Sequence, residues 1–163
     1  MYPCFDISEI SSERLLHEWK WLVPGECKIV AVNPFGDLFL EDDKGRVHWL
    51  DVTAGTMSAL ALSASQFQEA SKGTASRKRW FLEELAERAE QKRFRPGRGQ
   101  CVGYRIPSVF KESSNAVENM YVADLYEYVS FMGDIHRQIR DVPDGGNVRI
   151  RIEGDPGQSR DGD

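Results

Sequence analysis

The chain has little of what most reaction chemistries need. Its 163 residues include three cysteines, Cys4, Cys27 and Cys101, an odd number with no C-x-x-C spacing. That argues against a disulfide framework or a zinc site and fits reduced thiols. The three histidines, His17, His48 and His136, fall on separate predicted elements, and none has a second His or Cys at ligand spacing, so no metal is expected. No G-x-S-x-G marks a hydrolytic nucleophile, no G-x-x-x-x-G-K-[ST] a phosphate loop, and no glycine-rich fingerprint a dinucleotide site. Asp42-Asp43 is a carboxylate pair, but in a predicted hairpin turn, where solvation keeps both ionised. Together these gaps predict a protein that is not an enzyme and needs no cofactor. Long apolar runs are absent too. None approaches the ~20 residues of a membrane span, and Met1 is followed by Tyr-Pro-Cys-Phe-Asp, unlike a basic-then-apolar export signal. A cytoplasmic location is expected, without membrane contact.

Hydrophobic residues make up 40% of the chain and charged residues 29%, enough for one core in a soluble protein. The length predicts a single domain over residues 1–153. Residues 154–163 have no apolar side chain and read as a disordered tail. Internal repeats are absent.

The organising stretch is residues 29–62. Apolar runs at 29–32, 37–41 and 46–51 are separated by Asn33-Pro34-Phe35-Gly36 and Asp42-Asp43-Lys44-Gly45, and closed by Thr53-Ala54-Gly55. Gly reaches positive φ, Pro fixes φ, and Asn or Asp side chains bond local backbone, so these are turns. Leu38 and Leu40 alternate with Asp37, Phe39 and Glu41; Val47 and Trp49 alternate with Arg46, His48 and Leu50. Period two between turns predicts a three-stranded antiparallel meander over residues 29–58, with Trp49 at least partly buried. The fold class is therefore α+β: an antiparallel sheet built on an N-terminal meander and flanked by helices.

Before it, Ser11-Ser12-Glu13 caps a helix carrying Leu15, Leu16, Trp19, Leu22 and Val23, ended by Pro24-Gly25. Trp19 and Trp21 cannot share one helical face, so one is expected at a partly exposed edge. After the meander come a short Ser-capped helix near residues 65–70 and a longer one over 77–93, with Phe81, Leu85 and Ala89 at i+4 steps. Residues 100–106 and 120–128 read as strands, 131–140 as a helix with Met132, Ile135 and Ile139 inward, and 148–152 as a last strand. His136, on the same side as Met132 and Ile139, reads as a hydrogen-bonded structural histidine.

The net charge of −5 is segregated: residues 1–75, 76–99 and 100–163 carry −5, +4 and −4. A mildly acidic chain with one basic segment is a poor general nucleic-acid binder. The cations of residues 77–98 read either as a solvated face or as a partner contact. Asp37, Glu41, Asp42, Asp43 and Asp51 gather on and beside one hairpin against Lys44 and Arg46. These acids read either as charges that discourage strand addition or as a patch that steers a basic partner. For the second reading the candidate partner-binding residues are Asp37, Glu41, Asp42 and Asp43.

Three blocks, N-P-F-G-D-L-F-L-E-D-D-K-G-R-V-H-W-L-D-V-T-A-G, G-Q-C-V-G-Y-R-I-P and M-G-D-I-H-R-Q-I-R-D-V-P-D-G, fall in order across residues 25–150. In them the chain resembles the type VI secretion immunity proteins that neutralise DNase effectors, although it departs from that pattern over residues 108–119. The resemblance implies an α+β fold without catalysis, and a cytoplasmic antidote that binds its cognate toxin, a basic nuclease domain. Such toxin–antitoxin pairs act in bacterial competition. The recurring residues Phe35, Gly36, Phe39 and Trp49 look like scaffold and imply no binding site. The main rival reading is a non-catalytic scaffold or regulatory module of similar fold.

Overall fold

The computed structural model describes residues 6–114 and 116–151. It is an α+β protein whose antiparallel sheet has four strands in sequential order: β1 (Lys28–Val32), β2 (Leu38–Glu41), β3 (Arg46–Asp51) and β4 (Thr56–Ser63). The expected three-stranded meander is extended by β4. Its Thr-Met-Ser-Ala-Leu-Ala-Leu-Ser sequence has weak strand propensity, and pairing with β3 overrides it, with Leu50 opposite Met57 and Trp49 opposite Ser58.

Helices cover both faces of the sheet, which is why Leu38, Phe39 and Leu40 are all buried although a strand alternates. Leu38, Leu40 and Leu50 face α5 (Leu125–Ile139), while Phe39 and Val47 face α2 (Ala64–Ser71) and α3 (Thr74–Trp80) through Phe67 and Trp80. A capping box at Ser63 and Gln66 starts α2, as the Ser-x-x-Gln spacing implies.

The N-terminal helix is shorter than its apolar period suggested. It comprises α1 (Ser12–Leu15), capped by Ser11 Oγ on Arg14 N, and a 3₁₀ turn at His17–Trp19. Trp19 is buried and Trp21 half-exposed, the expected partly exposed edge, but the tighter turn lets both tryptophans reach α5, which a regular helix would not. Trp19 Nε1 donates to Val129 O at 2.9 Å and Trp21 Nε1 to Gly133 O at 3.3 Å, with the rings 6.1 Å apart. Gly133 permits this docking, because a Cβ there would lie 2.9 Å from Glu18 Cβ and Trp19 Nε1.

The helix expected over residues 77–93 is two helices, α3 and α4 (Glu83–Gln91), broken at Leu82 with φ +51°. Trp80 and Phe81 belong to the core under Phe39, whereas Leu82, Leu85, Ala86 and Ala89 belong to a second core around Phe35 and Tyr104. One straight helix cannot serve both, and the left-handed residue that turns the chain costs roughly 1–2 kcal/mol. Lys78 and Glu84 pair across the break at 2.7 Å.

β5 (Gln100–Tyr104) pairs antiparallel with β6 (Met120–Asp124). The strand expected over 120–128 stops at Asp124, whose Oδ1 accepts the Glu127 amide and opens α5, so Tyr126 and Tyr128 are helical. Their hydroxyls accept from the Ser11 and Tyr104 amides at 2.8 and 3.3 Å. Residues 148–151 form no strand. Instead Gln138 on α5 bonds both backbone groups of Arg151. The predicted tail at 154–163 lies outside the described residues.

Candidate functional site

The β1–β2 turn is built on a short polar side chain facing its own backbone. Asn33 Oδ1 accepts from the Phe35 and Asp37 amides at 2.9 and 3.0 Å, and its Nδ2 donates to Trp80 O at 3.0 Å and Asp37 Oδ2 at 2.8 Å. Asp37 Oδ1 accepts from Val52 N at 2.9 Å, and Oδ2 receives a longer contact of 3.4 Å from Trp49 Nε1. The carboxylate thus ties the first turn to the end of β3. It is 2% exposed, so the expectation that Asp37 belongs to a surface patch is corrected. Burial pushes its pKa up to about 7, the neighbouring Asp51 charge adds to this, and the donors from Asn33, Val52 and Trp49 oppose it.

The β2–β3 tip is built on Asp42. Its Oδ1 accepts from the Lys44 and Arg46 amides, each at 2.9 Å, while Oδ2 meets Arg46 Nε at 2.9 Å and His48 Nε2 at 2.8 Å. Gly45 N closes the turn on Asp42 O. Arg46 and His48 are two apart on β3, hence on one side of it, and both reach back to the same carboxylate oxygen. The His48 hydrogen bond, then the Arg46 amide, holds Asp42 well below the usual carboxylate range. Its side chain is 10% exposed, so Asp42 is a brace and not the open charge that its turn position suggested.

Of the four candidate partner-binding residues, Asp43 is exposed and shares a cleft with exposed Glu26, while Glu41 is half-buried. Exposed Lys28 stands opposite Glu41 across β1 and β2, and exposed Lys44 and Arg46 line the cleft with Asp43. The fifth acid, Asp51, sits at the far end of β3, roughly 17 Å along the strand, with Oδ1 accepting from Ala54 N at 2.7 Å. The acidic surplus counted along the hairpin is therefore divided among a buried clamp, a turn brace, a distant loop and a tip of mixed sign.

A cleft of about 330 Å³ beside the tip brings Cys27 together with Asp42, Asp43 and His48. A thiol near an Asp–His pair invites comparison with a nucleophile, but the local field points the other way. Burial and then the charges of Asp42 and Asp43 push the Cys27 thiol up, and its Sγ turns to Pro24 O at 3.9 Å. An activated cysteine needs a positive surrounding that lowers its pKa. Cys101 is fully buried, and its pKa too is pushed up by burial. His136 lies under the other end of the sheet, with Nε2 donating to Val52 O at 3.2 Å, and burial lowers its pKa. It is the hydrogen-bonded structural histidine that its helical position suggested. Among the described residues, no group of three or more His, Cys, Asp or Glu could hold a metal ion, and no helix is long and apolar enough to cross a membrane.

Several cations of the basic segment are engaged locally: Arg77 with Glu83, Lys78 with Glu84, Arg95 with Glu90, and Arg98 with Glu9. No family model matches the chain, and no curated protein matches it. The three sequence blocks meet in space all the same. Val102 N donates to Pro34 O at 2.8 Å, and His136 reaches Val52. Sequence reasoning overlooked the His48 brace and the neighbouring Glu26; the i, i+4, i+6 spacing of Asp42, Arg46 and His48 around a two-residue strand period was the available signal.

Proposed function

We propose that this protein is a cytoplasmic immunity-type inhibitor that binds and neutralises a secreted toxin, a basic nuclease domain of the type VI class, without catalysis of its own. The observation that carries the reading is the Asp42-locked tip. Four bonds of 2.8–2.9 Å to Lys44, Arg46 and His48 fix a loop that projects Asp43 and Lys44 into solvent with Glu41 at its base. A loop already held in one conformation loses little entropy on binding, which an inhibitor needs for tight capture. A nuclease must present Lys and Arg to hold phosphates, and Glu26, Glu41 and Asp43 offer carboxylates to such groups. Because Lys28, Lys44 and Arg46 lie among them, the surface suits fixing register and partner choice more than long-range steering. The net charge of −5 and the local pairing of the basic segment favour a protein partner over nucleic acid.

The test is titration of the purified protein against any nuclease domain found encoded beside its gene, read as binding and as loss of DNA cleavage. Glu41→Lys/Asp43→Lys leaves the Asp42 brace intact and is expected to weaken binding by about 2–5 kcal/mol if the pair is desolvated at the contact. Unchanged binding and inhibition by the variant would remove the tip from the mechanism. Failure of the unaltered protein to bind that nuclease, or to protect a cell expressing it, would refute the immunity reading.

A further inference from the structure

A cleft of about 420 Å³ lies between the four-stranded sheet and α4, within the size range of small-molecule sites. Asp37, Trp49 and Asp51 line it from the sheet, and Leu82, Leu85 and Arg88 from the helix. The last three follow at three-residue steps and so share one face of α4, which starts from the left-handed Leu82. Trp49, Leu82 and Leu85 are half-buried and give the cleft apolar walls, with Tyr104 buried at its base.

Two polar groups of this cleft have no partner among the described residues. Tyr104 is 6% exposed, yet its hydroxyl makes no hydrogen bond, although a buried phenol ordinarily finds one. Arg88 is exposed, and its guanidinium makes no hydrogen bond or ion pair. Glu84, one helical turn back, is taken by Lys78 at 2.7 Å. Asp51 lines the same cleft but lies beyond ion-pair distance of Arg88, and with Oδ1 on Ala54 N it keeps Oδ2 open. Burial, then the Asp37 charge, pushes the Tyr104 pKa up, while Arg88 opposes them and Asp51 adds to them, so all three charges act on this hydroxyl. Asp37 itself is engaged by three donors of the fold. The cleft thus holds a carboxylate and a guanidinium apart on different walls. A ligand of one sign meets a like charge on one wall, and a neutral ligand leaves both charges unpaired. A ligand with both signs on one carbon satisfies both.

We propose that this cleft binds a free α-amino acid with a large apolar side chain. The ammonium group donates to Asp51 Oδ2, the carboxylate accepts from Arg88 and the Tyr104 hydroxyl, and the side chain lies against Trp49, Leu82 and Leu85. This goes beyond the toxin reading, and neither inference rests on the other.

Isothermal titration calorimetry of the full chain with L-phenylalanine tests it. The expected result is saturable binding with a Kd of about 1 mM or tighter. L-phenylalaninamide lacks the carboxylate, N-acetyl-L-phenylalanine the ammonium and L-alanine the apolar side chain, and each is expected to bind about tenfold more weakly or worse. Tyr104→Phe and Arg88→Gln delete groups that hold nothing in the fold. Both are expected to raise the Kd for L-phenylalanine, Arg88→Gln by about tenfold or more, and Arg88→Gln also to abolish the preference over the amide. No saturable binding of L-phenylalanine up to about 20 mM overturns the proposal. So does an amide or N-acetyl compound that binds as tightly as the parent, which makes the cleft a site for one charge only. Unchanged binding by both folded variants places the ligand elsewhere and overturns it as well. If either variant fails to fold, magnetisation transfer between the ligand ring and the Trp49 indole of the unaltered protein decides: its presence supports the site and its absence refutes it.

Discussion

Replacing Asp37 by asparagine removes one charge and almost no volume, yet it should be costly. Every group facing the carboxyl is a donor: Asn33 Nδ2, Val52 N and Trp49 Nε1. Either orientation of the substituted amide would turn its NH₂, which cannot accept, on one of these N–H groups, whereas both oxygens of the carboxyl can accept even when it is protonated. Asn33 cannot turn its oxygen round to compensate, because Oδ1 already holds the Phe35 and Asp37 amides. A buried donor left facing a donor costs about 1–3 kcal/mol. The pH dependence separates this cost from the charge. Burial raises the folded-state pKa of Asp37 from 3.8 to about 7. The folded protein therefore keeps a proton that the unfolded chain has released. That contribution to stability is complete below about pH 3.8 and is lost as the pH rises through about 7. A displacement of that size corresponds to roughly 4 kcal/mol. Urea unfolding followed by tryptophan fluorescence, at about pH 4.5 and about pH 8, measures both proteins. The Asp37→Asn variant should be the less stable at the acid end, and the gap should narrow, or at full effect reverse, toward the alkaline end. A gap constant with pH, or widening as the pH rises, would mean that the three donors outweigh burial and Asp51, and would refute the reasoning.

Gly55 has φ +69°, and a Cβ there would lie 2.3 Å from His136 Nδ1. The ring cannot retreat, being bonded to Val52 O and set 5.7 Å from the Trp19 ring, so Gly55→Ala should lower stability by about 2–5 kcal/mol in thermal unfolding. Asp42→Ala should leave the sheet intact while speeding hydrogen exchange at the Lys44 and Arg46 amides, which lose their acceptor. Since the folded-state pKa of Asp42 is depressed, its contribution is present above the unfolded value of 3.8 and disappears as the pH falls through the folded one. Exchange at the tip of the unaltered protein should accordingly rise in strong acid.

The meander was legible because its information is local. Gly- and Asp-containing turns punctuate period-two runs, and each strand can be read without knowing what it packs against. The misread elements are those whose shape is decided at a distance. Nothing in residues 77–93 announces a break at Leu82, since each half keeps a helical period and the break exists to serve two cores at once. Residues 120–128 alternate as a strand should, but Asp124 caps a helix, and Tyr126 and Tyr128 anchor it to Ser11 and Tyr104 far away in sequence. β4 was hidden for the opposite reason: Ala and Leu are helix formers, and it is pairing with β3 that makes them a strand.

The acids of the hairpin show why a charge count along the chain is a poor map of a surface. Asp is favoured in turns because its oxygens can accept backbone N–H groups two to four residues on, and that same use removes it from solvent. Asp42 spends its carboxylate on Lys44, Arg46 and His48, and Asp51 turns to Ala54. Asp37 reaches across the sheet to Val52. Glu41 and Asp43 differ because neither accepts a turn amide: one lies in strand β2, where its side chain follows the pleat, and the other at the outermost turn position. The residues left free to meet a partner are thus those the turn does not need. The rigidity that would make them effective comes from the acids that it does need. A surface built this way responds to substitution in two distinguishable ways. Changing Glu41 or Asp43 alters what the tip offers, and changing Asp42 alters whether it is held still.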